Sequence, residues 1–209
     1  MLKLIKAAAV AMMLPMLANA AQFEEGVHYE VVSERGTKKP EVTEYFSFYC
    51  PACKAFEPLI ADFTPKLNND VKFKKSHVNF VGPRDPELQK IMANALATAT
   101  VLPQKDNIVS ALFSHIHTKR AKINELADIK DIFVSQGVDG DKFDKLYKSF
   151  SVRTKASRMT RMQEQFQNKG ALTGVPTFIV NGKYKLLLRE SKTTTPDQIS
   201  ALINYLAVK

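Results

Sequence analysis

The apolar positions along the chain follow two different periods, and the period changes twice. A short strand is expected near His28 to Ser33, followed by a turn at Glu34-Arg35-Gly36. Glu41 to Tyr49 (EVTEYFSFY) is rich in aromatic and β-branched residues and reads as a strand that runs straight into Cys50. Beyond it, Phe56, Leu59, Ile60, Phe63 and Leu67 recur at helical spacing and form one apolar stripe. Pro58 lies inside that stripe and predicts a kink rather than a break. Val71 to Val81 reads as a second core strand. Strand, helix and strand at this spacing make a βαβ unit with a parallel strand pair and a right-handed crossover.

From Asp85 the pattern becomes helical throughout. Asp85-Pro86-Glu87 has the form of an N-cap, a proline at the first helical position and an acid in the first turn. Leu88, Ile91, Met92, Ala95, Leu96 and Ala99 continue it, and amphipathic segments follow at Ile108 to Ile116, Asn124 to Gln136, Asp139 to Phe150 and Val152 to Asn168. Gly137 and Gly170 stand where helices end. Strand character returns at Thr177 to Val180. Asn181-Gly182 then reads as a two-residue hairpin turn and Lys183 to Leu188 as the returning strand. Thr195-Pro196 caps a last helix with its stripe on Ile199, Leu202, Ile203 and Leu206. The order βαβ, helices, ββα implies an α/β protein in two parts: residues 21–82 with 169–209, and a helical insertion over 83–168.

The first twenty residues belong to neither part. Lys3 and Lys6 precede an apolar stretch of 11 residues, Ala7 to Leu17, and Ala18-Asn19-Ala20 has the small residues of a signal-peptidase site. The stretch is too short for a bilayer span, so a leader cleaved after Ala20 is expected in preference to a membrane tether. The leader implies export, and the periplasm of a Gram-negative bacterium is the expected compartment. The formal charge of +9 includes the two leader lysines. The other bases are dispersed, with no dense run interleaved with aromatics, so solubility rather than nucleic acid accounts for them.

An exported chain of 209 residues with only two cysteines, Cys50 and Cys53, is informative. A disulfide closing so small a loop stabilises by roughly 2 kcal/mol, less than one closing a long loop. Redox chemistry explains the pair better. The cysteines follow a strand and open a helix, whose N-terminal N–H groups and partial positive charge stabilise a thiolate; CxxC oxidoreductases are the known case. Cys50 is expected to be the exposed nucleophile and Cys53, a turn further in, to be shielded. A zinc site needs two more ligands. The histidines are His28, His77, His115 and His117; the last two, at i and i+2 of a helix, point to different sides.

Strand alternation adds two charged residues. Val42, Glu44, Phe46 and Phe48 share one face of their strand, and Val71, Phe73, Lys75 and His77 one face of the next. Glu44 and Lys75 are therefore expected to meet beneath the cysteines, since a buried pair costs less than either charge alone. They can form a proton relay for Cys53, with Glu44 raised by desolvation, or a purely structural pair. Gly174-Val175-Pro176-Thr177 precedes a strand, with Pro176 as an ordinary strand start or a cis proline in a tight turn.

Together, Phe46-Ser47-Phe48-Tyr49-Cys50-Pro51-Ala52-Cys53, His77-Val78-Asn79-Phe80 and Gly174-Val175-Pro176 with Phe178 to Tyr184 closely resemble the DsbA family of periplasmic disulfide oxidases. The resemblance covers essentially the whole chain after the leader. It implies a thioredoxin-like fold, a central mixed sheet flanked by helices, with an inserted all-α domain. By the same resemblance Cys50 and Cys53 form the redox-active disulfide, and Glu44 and Lys75 are the buried acid and lysine. Pro176 is the cis proline beside the disulfide, and Val175 contacts bound peptide through its backbone. It further implies unfolded or reduced secreted proteins as substrates, a quinone-linked membrane reoxidant of the DsbB type, a monomer, and neither metal nor organic cofactor. The best-known members carry Cys-Pro-His-Cys. Ala52 replaces that histidine here, which implies a less stabilised Cys50 thiolate and a less oxidising disulfide. Two other readings remain: a disulfide isomerase or reductase on the same fold, for whose dimerisation domain Ala21 to Glu41 leaves no room, and a non-catalytic peptide-binding module.

Overall fold

The computed structural model describes residues 23–209, so the expected leader and its cleavage point lie outside the described residues. Five strands form one sheet: β1 (Tyr29–Val31), β2 (Glu41–Phe46), β3 (Lys72–His77), β4 (Thr177–Val180) and β5 (Tyr184–Leu186), in the spatial order β1-β5-β4-β2-β3. β2 and β3 run parallel, and the other neighbours are antiparallel. The parallel pair is joined through α1 (Pro51–Phe63), as the βαβ pattern requires. Between β3 and β4 lie α2 (Pro86–Ala99), α3 (Lys105–Phe113), α4 (Leu126–Ser135), α5 (Gly140–Tyr147) and α6 (Phe150–Asn168); α7 (Pro196–Ala207) closes the chain.

This is a thioredoxin-like mixed sheet flanked by helices, with a helical insertion. α7 packs on α1 and covers β2 and β4, while α2 and α6 cover β3 at the sheet edge. The apolar stripes sort accordingly. Ile60, Phe63, Ile199, Leu202 and Ile203 join Val42, Phe178 and Val180 in one buried cluster. Met92, Leu96, Leu112, Phe133 and Phe143 fill the insertion, and their cluster extends without a break to Phe46, Phe48 and both cysteines. The two cysteines therefore sit where the packing of the inserted helices meets the end of β2.

Several expected boundaries move. β2 ends at Phe46 and does not run into Cys50, because the Ser47 hydroxyl accepts the Tyr49 N–H at 3.1 Å and bends the chain; Phe48 leaves the strand face with it. β3 ends at His77, four residues before Val81. Leu67 lies past a 3-10 turn (Thr64–Lys66) rather than on α1. The β4–β5 connection has three residues, Asn181, Gly182 and Lys183, since Val180 pairs with Tyr184. Asn181 and Gly182 do take the positive φ values of 53° and 63° that an Asn-Gly turn provides. The extra residue follows from other demands on the loop: Asn181 Oδ1 accepts the Glu41 N–H at 3.0 Å, and the Lys183 carbonyl accepts the Val32 N–H at 2.8 Å. The helix caps at Asp85 and Thr195 form as the sequence implies, Thr195 in a reciprocal capping box with Gln198.

Candidate active site

Cys50 is the N-cap of α1. Its backbone is extended (φ −91°, ψ 113°), and its sulfur stands where a serine or aspartate oxygen usually caps a helix, accepting the Cys53 N–H at 3.1 Å. Pro51 occupies the first helical position, and no acidic residue in the first turn neutralises the positive end of the helix. Both cysteines are free thiols here. Cys50 departs from expectation in being only 5% exposed. The cause is the Val175-Pro176 turn, whose peptide bond is cis and whose Val175 carbonyl lies over the thiol, accepting from Cys50 Sγ at 3.6 Å. Cys53 is fully buried. Burial pushes its thiol well above the ordinary range; the contact with Cys50 and the nearby Glu44 charge push the same way.

The turn before the cysteines is held from several sides. Cys50 N–H donates to the Ser47 carbonyl at 3.0 Å, and the Ser47 hydroxyl donates to the Val81 carbonyl at 3.0 Å. Gly82 (φ +113°) lies against the Tyr49 ring, where a Cβ would come within 2.5 Å of Tyr49 Cδ2, so only glycine permits the approach. From the insertion, His117 Nε2 lies 2.8 Å from the Phe48 carbonyl and Thr118 accepts from Lys54 Nζ at 2.6 Å. Both belong to a π-helical turn (Ser114–Thr118), in which His115 turns instead toward the Lys122 carbonyl. Among the described residues, no three His, Cys, Asp or Glu side chains gather as metal ligands would.

Glu44 and Lys75 are direct neighbours in the β2–β3 register and meet at 2.5 Å. The structure adds a third member that strand alternation missed: Glu57 on α1 also accepts from Lys75 Nζ at 2.5 Å. The signal was there, since Glu57 is four residues after Cys53 and shares its helix face. Glu44 is fully buried, and burial pushes its carboxyl up to about 7 despite the pull of Lys75. Burial alone would lower the Lys75 ammonium, but two carboxylates outweigh it and hold the ammonium above its usual value. One ammonium thus serves two carboxylates, and among the described residues Glu44 Oε1 has no hydrogen-bond partner. His77, stacked on Phe48 with ring centroids 5.4 Å apart, is buried and driven down to about 3, so its ring is neutral.

A caught thiol over a helix N-terminus, a shielded second thiol and a cis-proline turn against them suit dithiol–disulfide exchange, and comparison with known proteins decides the family. A DSBA-like thioredoxin domain matches residues 41–199. The chain belongs to the DsbA family. It is 33% identical to the thiol:disulfide interchange protein DsbA of Escherichia coli K12 over the full length of both chains. The structure of Proteus mirabilis DsbA with a cysteine-to-serine change, bound non-covalently to the peptide PWATCDS, superposes with a TM-score of 0.79 at 30% identity, covering 90% of this chain and all of that one. Pseudomonas aeruginosa DsbA superposes at 0.73 with 28% identity, covering 90% of this chain and 95% of that one. The protein is accordingly a thiol:disulfide oxidoreductase of the DsbA family, acting on substrate proteins.

Proposed function

We propose that Cys50 and Cys53 are the redox-active pair and that the protein donates their disulfide to newly exported proteins. The observation that carries this is the sulfur cap. A thiolate is a much better acceptor for the Cys53 N–H than a disulfide sulfur, so the helix start favours the reduced protein and drives oxidation of the substrate. A substrate thiolate attacks Cys50 Sγ, and the Cys50–Cys53 bond breaks with Cys53 as the leaving group. A second substrate thiolate then displaces Cys50 from the mixed disulfide. The substrate gains a disulfide, and this protein keeps both electrons as a dithiol.

The Cys53 thiolate must gain a proton in its buried site. Glu44, poised near neutrality with a free Oε1 and held by Lys75, is the proposed donor, and Glu57 shares the Lys75 charge. Val175 offers backbone to an extended peptide beside Pro176, next to the Cys50 thiol; that the Proteus relative holds the peptide PWATCDS supports a peptide as the substrate. The thioredoxin-like part is assigned to 21–82 with 169–209 and the helical domain to 83–168, on the strength of five helices intervening between β3 and β4. Export with cleavage after Ala20, a periplasmic site, a monomeric state and reoxidation by a DsbB-type membrane protein complete the proposal; that the relatives named thiol:disulfide interchange protein are bacterial supports the compartment. Among the described residues no helix is long and apolar enough to cross a membrane.

The test is the reduction potential against glutathione, with capture of mixed disulfides by a Cys53→Ala variant. Stable adducts through Cys50 and efficient oxidation of a reduced peptide are expected. A dimer that repairs a scrambled protein but fails to oxidise would reject the donor role in favour of an isomerase.

A further inference from the structure

A second site lies on the face of the sheet opposite Glu44 and Lys75. Strand alternation turns Thr43 and Tyr45 of β2 to that face, and Lys74 of β3 and Ile179 of β4 stand in register with Thr43 on either side. A cavity of about 380 Å³ lies between these strands and the flank of α6. Ile179, with Met159 and Met162 of α6, supplies its apolar lining.

The charges around the cavity do not balance. Glu41 is the one acid among the described residues of the lining, and it is spent on Lys74. Lys155 and Arg158 line the same cavity, about one turn apart on α6, and among the described residues neither pairs with a carboxylate. Lys155 Nζ donates to Thr100 Oγ1 at 2.7 Å, a partner that brings no charge. Burial and the neighbouring Lys74 hold the Lys155 ammonium below its usual value, as befits a cation with no counter-charge.

Exposed cations alone mark no ligand, but Tyr45 lies among them. Its side chain is 3% exposed, with its ring edge-on to Phe166 at a centroid distance of 5.6 Å. Among the described residues its hydroxyl has no hydrogen-bond partner. Ser76 Oγ on the next strand is sealed away from every neighbour and from solvent; the Tyr45 hydroxyl is not sealed. The charges that act on it are Glu41 and Arg158, both members of the lining, so the hydroxyl opens into the cavity. Burial, with Glu41 adding to it, holds the phenol above its usual range, and the group is therefore a neutral donor.

A buried hydroxyl donor and two unmatched cations beside an apolar lining recognise an anionic head on an apolar body. Flexible methionine side chains suit an unbranched chain better than a rigid ring. We infer that this cavity binds a medium-chain fatty acid, its carboxylate held by Tyr45, Arg158 and Lys155 and its chain laid along Met159, Met162 and Ile179. Cys50 and Cys53 take no part in it.

Calorimetric titration of the purified protein with octanoate, acetate and 1-octanol tests this. Saturable binding of octanoate is expected, with acetate and octanol about tenfold weaker or more. Arg158→Gln, on the exposed flank of α6, and Tyr45→Phe, which removes only the hydroxyl, are each expected to weaken octanoate binding about tenfold while peptide oxidation stays unchanged. No saturable binding of octanoate overturns the proposal. Acetate binding as tightly as octanoate marks an adventitious ion only, and octanol binding as tightly marks an apolar cleft with no acid site; either result overturns it. Unchanged octanoate affinity in either variant does the same.

Discussion

Glu44 Oε2 and Lys75 Nζ lie 2.5 Å apart across the parallel β2–β3 pair, with the carboxylate fully buried beneath the cysteines. The pair is not a closed neutral unit, because Lys75 is shared with Glu57 and Glu44 keeps an unmatched oxygen. Burial without full compensation is the state in which a carboxyl holds its proton into the neutral range.

That state has a stability signature. With its carboxyl raised to about 7, folded Glu44 binds a proton that the unfolded chain releases near 4.5, so its contribution to stability falls as pH rises through that window. Glu44→Gln, which leaves Lys75 its Glu57 partner, is expected to stabilise the reduced protein by about 3 kcal/mol above pH 7 and by little at pH 4. Urea unfolding at the two pH values checks it. If the proton relay holds, the same variant oxidises peptide more slowly near neutral pH.

His77 acts in the opposite sense. Its folded-state value of about 3 lies below the ordinary 6.5, so the stability its neutral ring contributes is present above 6.5 and is lost as pH falls toward 3. His77→Gln is expected to flatten the acid limb of the stability curve by several kcal/mol across that interval, while leaving its slope above pH 7 unchanged. Acid titration followed by circular dichroism reads this directly.

Ala52 is exposed in the first turn of α1, between the two cysteines. An imidazole there adds a dipole or a positive charge beside the sulfur that caps the helix, favouring the thiolate and therefore the reduced form. Ala52→His is expected to make the disulfide more oxidising by about 30 mV for each tenfold gain in the equilibrium constant. A potential that does not move shows that the helix start alone sets the thiolate's stability.

Gly82 controls the Tyr49 turn. Adding a Cβ at a positive φ and 2.5 Å from an aromatic carbon forces Tyr49 or the loop to move. Gly82→Ala is expected to cost about 1–3 kcal/mol and to slow peptide oxidation, through displacement of the turn that carries Cys50. Denaturant unfolding and a peptide oxidation assay separate the two effects.

The sequence by itself determined the order of elements, the placement of the cysteines at a helix start and the meeting of Glu44 with Lys75. Each is a local consequence: hydrophobic period fixes the element, capping residues fix its start, and strand alternation fixes which side chains share a face. Asp85 and Thr195 cap as their chemistry requires, and the helices of the insertion lie where their stripes place them. Tertiary structure decided what depends on segments distant in sequence. Glu57 joined the buried pair only because α1 packs over that face of the sheet. Cys50 lost its expected exposure because Val175, 125 residues later, folds across it. His117 reached the Phe48 carbonyl from the insertion, and Gly82 let the loop after β3 close on Tyr49. Such contacts are set by packing between elements, where no period in the sequence records which neighbour a side chain will meet.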